Sequence, residues 1–229
     1  MNFDLREEIK RKGGRLALGI PLILIIVYLK NRYGIELTKN VSFFLVLLAI
    51  FQDYLRANLR FPIPFYDLLL KRPAEKAGLH GSTVALIACL LTLTFYDFDI
   101  AMAAVSMFLF GDAFACIIGK GFGRTKLLNQ KYLEGSLAMF VVAMIAGFFF
   151  LDNVLLIAGM ALFATLLEMF ISKLPDDLVL PLYTGLMGQF LSIRPFMIGL
   201  RRALIAWIVL VVAMTSYLGL LSLFKKFES

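Results

Sequence analysis

The sequence predicts an all-α fold, a polytopic transmembrane helical bundle of about seven or eight spans with interfacial helices. Three observations predict it. The chain is 61% hydrophobic, with a mean hydropathy of +0.86, whereas an ordinary soluble domain is about 45–50% apolar. Charged residues make up only 17% and gather between long apolar runs. Those runs recur along all 229 residues, which suits a single integral membrane domain over 1–229 and leaves no room for a sizeable soluble one.

Composition also narrows the function classes. The net charge of +7 fits the positive-inside rule and contacts to lipid phosphates. No basic stripe with interleaved aromatics occurs, so nucleic acid is not an expected partner. Cys89 and Cys116 lie in apolar runs without a CxxC, and His80 has no second ligand nearby, which argues against a disulfide framework and against zinc or iron chemistry. The N-terminus looks superficially like a signal peptide but lacks a small-x-small cleavage site, so the first apolar run reads as a retained membrane helix. The sequence carries no signal for an oligomeric state.

The elements follow in order. Residues 1–15 hold five bases, among them Arg11, Lys12 and Arg15, against three acids, and read as a cytoplasmic interfacial helix. The first span, about 16–29, is short, so Arg15 and Lys30 are expected to snorkel to the interfaces. The second span covers about 41–55. The connection 56–80, with Pro62, Pro64 and Pro73 and several bases, is aromatic and amphipathic and suits the headgroup region. Spans follow at about 82–96, 100–118, 135–151 and 154–171, separated by the acidic turn Asp97-Phe98-Asp99, a basic loop at 119–134 and the turn Asp152-Asn153. The basic segments alternate with acidic turns and face the cytoplasm together. Residues 178–192 are apolar but contain Pro181, Gly185 and Gly188. A crossing is favoured there over a broken re-entrant segment. The last helix is expected at about 203–224.

The polar groups that need an explanation lie between Gly111 and Ser136. Asp112 sits inside an apolar run, where an acid costs about 2.5–3.5 kcal/mol on insertion scales. It reads either as a small-residue packing seam with one paired acid or as a site residue. The loop Gly119-Lys120-Gly121-Phe122-Gly123-Arg124-Thr125-Lys126 combines glycines, whose backbone N–H groups can face an anion, with fixed positive charge. It is not a Walker A loop. Beyond Lys131, Gly135 and Ser136 open an apolar helix whose N-terminus suits phosphate, and Glu134 there can cap the helix or hold a divalent cation. Glu168 is a second intramembrane acid, and Asp176-Asp177 form an acidic turn on the same membrane side. Arg72 and Glu75, at helical spacing, either form a surface ion pair or complete the set.

These motifs, in this order, resemble the CTP-dependent lipid kinase family, which includes dolichol kinase, phytol kinase and the yeast-type diacylglycerol kinase. The residues carrying the resemblance are Arg72-x-x-Glu75, Gly111-Asp112-Ala113, Gly119-Lys120, Phe122-Gly123-Arg124-x-Lys126, Lys131-x-x-Glu134-Gly135-Ser136, Ala164-Thr165 with Glu168, and Asp176-Asp177 with Pro181. They fall within about 71–190, the expected CTP- and Mg²⁺-binding core. The chain departs from the family at Tyr132, at Leu178 and in having no histidine after Arg11-Lys12.

The resemblance implies a membrane enzyme, active on the cytoplasmic side, that moves the γ-phosphoryl group of CTP to a lipid alcohol of polyprenol or diacylglycerol type. Gly119, Lys120, Gly123, Arg124, Lys126, Lys131, Gly135 and Ser136 are then expected to bind the nucleotide. Asp112, Glu134, Glu168 and Asp176 are expected to hold Mg²⁺, with Asp112, Asp177 or Glu134 in catalysis and Arg72 and Glu75 at the lipid substrate. The central pattern is also similar to CDP-diacylglycerol synthases, although their long C-terminal signature is missing. A transporter using intramembrane acids, and a membrane scaffold, complete the alternatives.

Overall fold

The structure, a computed structural model, describes residues 5–59, 81–127, 131–170 and 176–193. The expected interfacial connection with Arg72 and Glu75, His80 and the last helix lie outside the described residues. Those described form seven α-helices and no strand: α1 (Leu5–Tyr33), α2 (Ile35–Leu59), α3 (Gly81–Phe95), α4 (Phe98–Phe122), α5 (Leu133–Phe148), α6 (Val154–Phe170) and α7 (Asp176–Ser192). Met1–Gln189 make one compact unit. Of the second unit, Phe190–Ser229, the described part is the end of α7 and Ile193.

Among the described residues three helices are long and apolar enough to cross a membrane, at Ile9–Tyr33, Ile35–Leu55 and Phe98–Phe122. The apolar helices α3, α5 and α6 have 15, 16 and 17 residues, below the roughly 20 that a typical hydrocarbon core needs. Large apolar side chains such as Leu24, Phe44, Phe51, Leu137, Ile145 and Leu162 point outward. That pattern is compatible with a lipid solvent.

The separate interfacial helix expected over 1–15 does not form. Residues 5–33 are one helix, so Lys12 and Arg15 share the register of the span that follows. α1 stops at Gly34, whose φ of +88° lies in the left-handed region that favours glycine. The chain turns back there into α2, which packs on α1.

α4 is the central mast. Two thirds of its apolar window (67%) is buried, against 22% and 17% for α1 and α2. It packs against α1, α3, α5 and α6. Its middle is built of small and flexible residues, Ala101 to Ala104 with Met102 and Met107, which let neighbouring helices approach. The buried hydroxyls of Thr92 and Thr165 donate to carbonyls of the preceding turn, those of Ala88 and Ala161. Asn153 caps α6 through Oδ1, which accepts from the N–H groups of Leu155 and Leu156.

α7 is one unbroken helix through Pro181. It runs the height of the bundle. Near its start Asp177 pairs with Arg15, and near its end Gln189 exchanges two hydrogen bonds with Asp97 at the α3–α4 turn. Gly185 and Gly188 allow this fit, since a Cβ would lie 2.5 Å from the Tyr96 ring at one and 2.7 Å from Ile100 and Met160 at the other.

The glycines of the central stretch make the α4–α5 crossing. A Cβ on Gly135 would lie 2.7 Å from the Ala115 carbonyl oxygen and 3.0 Å from the Gly119 Cα, whereas one on Gly111 would meet the flexible Met139 side chain at 3.2 Å. Gly135→Ala is therefore expected to cost about 1–3 kcal/mol through overpacking, and Gly111→Ala clearly less. Thermal unfolding of the two purified variants checks this order.

Candidate functional site

Two cations on one face of α1 meet two carboxylates in the bundle interior. Lys12 and Arg15 are one turn apart, and so project together. Lys12, only 3% exposed, donates from Nζ to Asp112 Oδ2 on α4. Arg15 forks onto Asp177 on α7, with Nη1 to Oδ1 at 2.6 Å and Nη2 to Oδ2 at 2.8 Å. Its Nη1 also lies 3.8 Å from Asp112 Oδ2. Asp112 and Asp177 are 8% and 3% exposed. Carboxylates so placed require paired, hydrogen-bonded partners, and the bidentate guanidinium is among the strongest available.

A second pair adjoins the first. Lys131 donates to the Glu168 carboxylate and to the Glu168 backbone carbonyl in the last turn of α6, where a cation also suits the helix dipole. The fields of Asp112 and Lys12 reach Glu168, that of Asp176 reaches Arg15, and that of Arg11 reaches Asp112. Asp112, Glu168, Asp176 and Asp177 thus share one electrostatic neighbourhood with α1 and Lys131.

Lys12, Arg15 and Asp112 of this cluster line one end of a cavity of about 500 Å³ among α1, α2, α3 and α4, with Pro181 of α7 also at its wall. Each helix contributes polar lining at the same end and apolar lining at the other. α1 passes from Lys12 and Arg15 to Leu22 and Ile23, and α4 from Asp112 to Val105. α2 passes from Gln52 to Leu45, and α3 from Ser82 and Thr83 to Cys89. The alternating chain direction of the four helices makes these gradients coincide. The result is an apolar chamber with a charged floor.

The basic loop after α4 lies outside this interior. Lys120, Arg124 and Lys126 are exposed. Antiparallel backbone pairing between 125–127 and 131–133 holds the loop, with Leu127 N–H donating to the Lys131 carbonyl at 2.7 Å and Leu133 N–H to that of Thr125 at 2.9 Å. Gly123 is required because a Cβ there would strike the Tyr132 ring at 2.3 Å. Glu134 accepts from Thr125 N–H at 3.1 and 3.3 Å. Backbone N–H groups, its own first and then those of Arg124 and Thr125, hold its carboxyl below the usual carboxylate range. These contacts brace the loop backbone, a role distinct from the helix cap and the cation ligand that the sequence suggests for Glu134.

Gly135 and Ser136, expected at the nucleotide, have packing and helix-bonding partners within the bundle. Gly135 backs onto α4, and Ser136 N–H already donates to the Tyr132 carbonyl at 3.1 Å. That N–H is therefore not an open phosphate donor. The Ser136 hydroxyl is buried without a partner among the described residues. Gly119 serves the same crossing.

No group of three His, Cys, Asp or Glu side chains able to hold a metal ion occurs among the described residues. The expected joint set of Asp112, Glu134, Glu168 and Asp176 is thus not drawn together as one cluster. Asp112 and Asp177 do flank one guanidinium. Two carboxylates with phosphate oxygens from a substrate fit Mg²⁺, which seldom uses an all-protein cage.

Comparison of the chain with protein-family models, with curated proteins and with solved structures returns no match.

Sequence reasoning missed Lys12 and Arg15 as site residues and sent Arg15 to the membrane interface. The signal was present: 12, 15, 19, 22 and 26 follow helical spacing and join the two bases to Gly19, Leu22 and Ile26 on one inward face.

Removing one member of a buried pair strands the other charge, at a cost of about 3–5 kcal/mol. Lys12→Met and Arg15→Met are expected to fall in that range. Lys131→Met should cost less, because its side chain and that of Glu168 are 25% and 13% exposed. Thermal unfolding in detergent gives the ranking. For Glu134, a folded pKa below the unfolded value means that its brace contributes fully above the usual range, near 4.3 or about 4 in pH. It is lost as pH falls through the folded value. Hydrogen-exchange protection of the Thr125 amide should hold from neutral to mildly acidic pH and disappear only below that range.

Proposed function

We propose that this chain is a CTP-dependent kinase transferring the γ-phosphoryl group to a membrane lipid alcohol, akin to the polyprenol, phytol and diacylglycerol kinases that its motifs resemble. One observation carries the reading: an apolar chamber ends at the buried Lys12–Asp112 and Arg15–Asp177 pairs. Such a chamber accepts a hydrocarbon tail and delivers a polar head to carboxylates and cations. The choice of CTP rests on the resemblance alone. In the same reading the bundle crosses the membrane with about seven or eight spans, the short helices α3, α5, α6 and α7 being carried across beside the longer ones, with the basic end cytoplasmic.

The chemistry follows from charge. Phosphoryl transfer depends on positioning and on neutralising phosphate oxygens. The lipid hydroxyl oxygen bonds to the γ-phosphorus, the bond from that phosphorus to the β–γ bridging oxygen breaks, and CDP leaves. The hydroxyl proton passes to a carboxylate at the chamber floor, Asp112 or Asp177. Lys120, Arg124 and Lys126 meet the nucleotide from the outer loop, while Lys12, Arg15 and Lys131 are the inner cations. The incoming triphosphate competes for Lys12 and Arg15, freeing the carboxylates they hold. Asp112 and Asp177 would hold Mg²⁺, which supplies further neutralisation of phosphate charge.

A second reading, CDP-lipid synthesis, is favoured by the two cations at the chamber floor, which suit a lipid that already bears a phosphate. Label position separates the two. With purified protein, lipid alcohol and CTP, γ-label entering the lipid is expected, and α-label entering a lipid phosphate instead would replace the kinase by the cytidylyltransferase. Asp112→Asn should lower transfer by at least about 100-fold, as loss of a general base does. Undiminished turnover in that variant would remove Asp112 from the chemistry.

A further inference from the structure

We infer that the chamber among α1, α2, α3 and α4 is a binding site for a lipid alcohol with a single hydrocarbon chain of about 20 carbons, by a scale on which an apolar cavity of about 150 Å³ holds the six carbons of benzene. This deepens the kinase reading and rests on it for the identity of the head group. The cavity volume of about 500 Å³ sets how many carbons the bundle encloses. A glycerolipid with two long chains carries roughly twice the carbon that the space admits, and a long polyprenol about three times as much.

The gradient of the lining sets the orientation. Thr83 and Gln52 are neutral polar groups beside Lys12, Arg15 and Asp112, so the floor offers partners for a hydroxyl. Above them Leu22, Leu45 and Val105 leave the walls apolar. The head therefore rests by Asp112 and the tail runs along α1 toward Ile23. Among the described lining residues the charged groups lie at one end, so a lipid inserted the other way would bring hydrocarbon against the charged floor with no compensating contact.

The test uses the full chain in detergent without nucleotide, so that its failure and that of the kinase reading can be told apart. Native mass spectrometry is run against an isoprenoid alcohol of about 20 carbons, a linear alcohol of about 18, a polyprenol of about 55 and a diacylglycerol with two chains of about 18. One retained copy of either single-chain alcohol is expected, at an occupancy at least about tenfold above the diacylglycerol and the polyprenol. The relative occupancies of the isoprenoid and linear alcohols identify the tail. Ala49→Phe and Ala85→Phe, which project into the chamber, should each reduce retention about tenfold, while Leu137→Phe on the outer face leaves it unchanged. Equal or better retention of the diacylglycerol or the polyprenol overturns the inference, as does undiminished retention in both filled variants. Selective retention without CTP turnover would leave this site standing and end the kinase reading. Turnover of a two-chain lipid without single-chain retention would do the reverse.

Discussion

Two carboxylates and two cations are buried together among apolar helices, and the rest of the structure accommodates that fact. Replacing such a pair with well-packed apolar residues often leaves a protein as stable or more so, whereas breaking it is costly. Once Asp112 and Asp177 occupy the interior, α1 must bring Lys12 and Arg15 to them. That requirement accounts for α1 continuing unbroken through its basic N-terminal turns into the membrane-length segment. It also fixes α7, whose Asp177 is anchored at one end while Gln189 meets Asp97 at the other.

Close helix approach makes this geometry possible. Gly135 and Gly119 let α5 cross α4 backbone to backbone, which places Lys131 at the end of α6 beside Glu168. On the opposite side of α4, the helices α1, α2 and α3 stand off far enough to leave a chamber. A tightly packed seam and an open chamber therefore flank the same mast, and Asp112 faces the chamber. A structural ion pair alone would not need such a chamber next to it. The pairing of the two features is what gives the lipid-kinase reading its physical content.

Much of this was legible in the residues. The apolar runs foretold the helices and their order, and the small residues around Asp112 foretold a close crossing. The acids Asp112, Glu134, Glu168 and Asp176 were read as one set; Glu134 lies apart, in the loop, while the fields of Asp112 and Asp176 reach Glu168 and Asp177 respectively. The basic partners were harder. Ending the interfacial segment at residue 15 cut the register that ties Lys12 and Arg15 to Gly19 and Leu22, so a charge aligned with an apolar face passed for a surface charge. Glu134 was ambiguous because a cap and a metal ligand ask for the same residue, and only the pairing of 125–127 with 131–133 shows Thr125 N–H in front of it. The chamber is a property of how four helices diverge, which no single stretch of sequence encodes.

The central claim is that the buried charges serve chemistry and not stability. The double variant Lys12→Met/Asp112→Leu tests it most directly, because it removes both members of one pair and strands neither. Thermal unfolding and phosphoryl transfer from CTP, measured on the same preparation, should show a melting temperature close to that of the parent chain and no transfer. A variant that melts normally and still transfers phosphate would contradict the account, as would one that loses its fold as completely as either single variant.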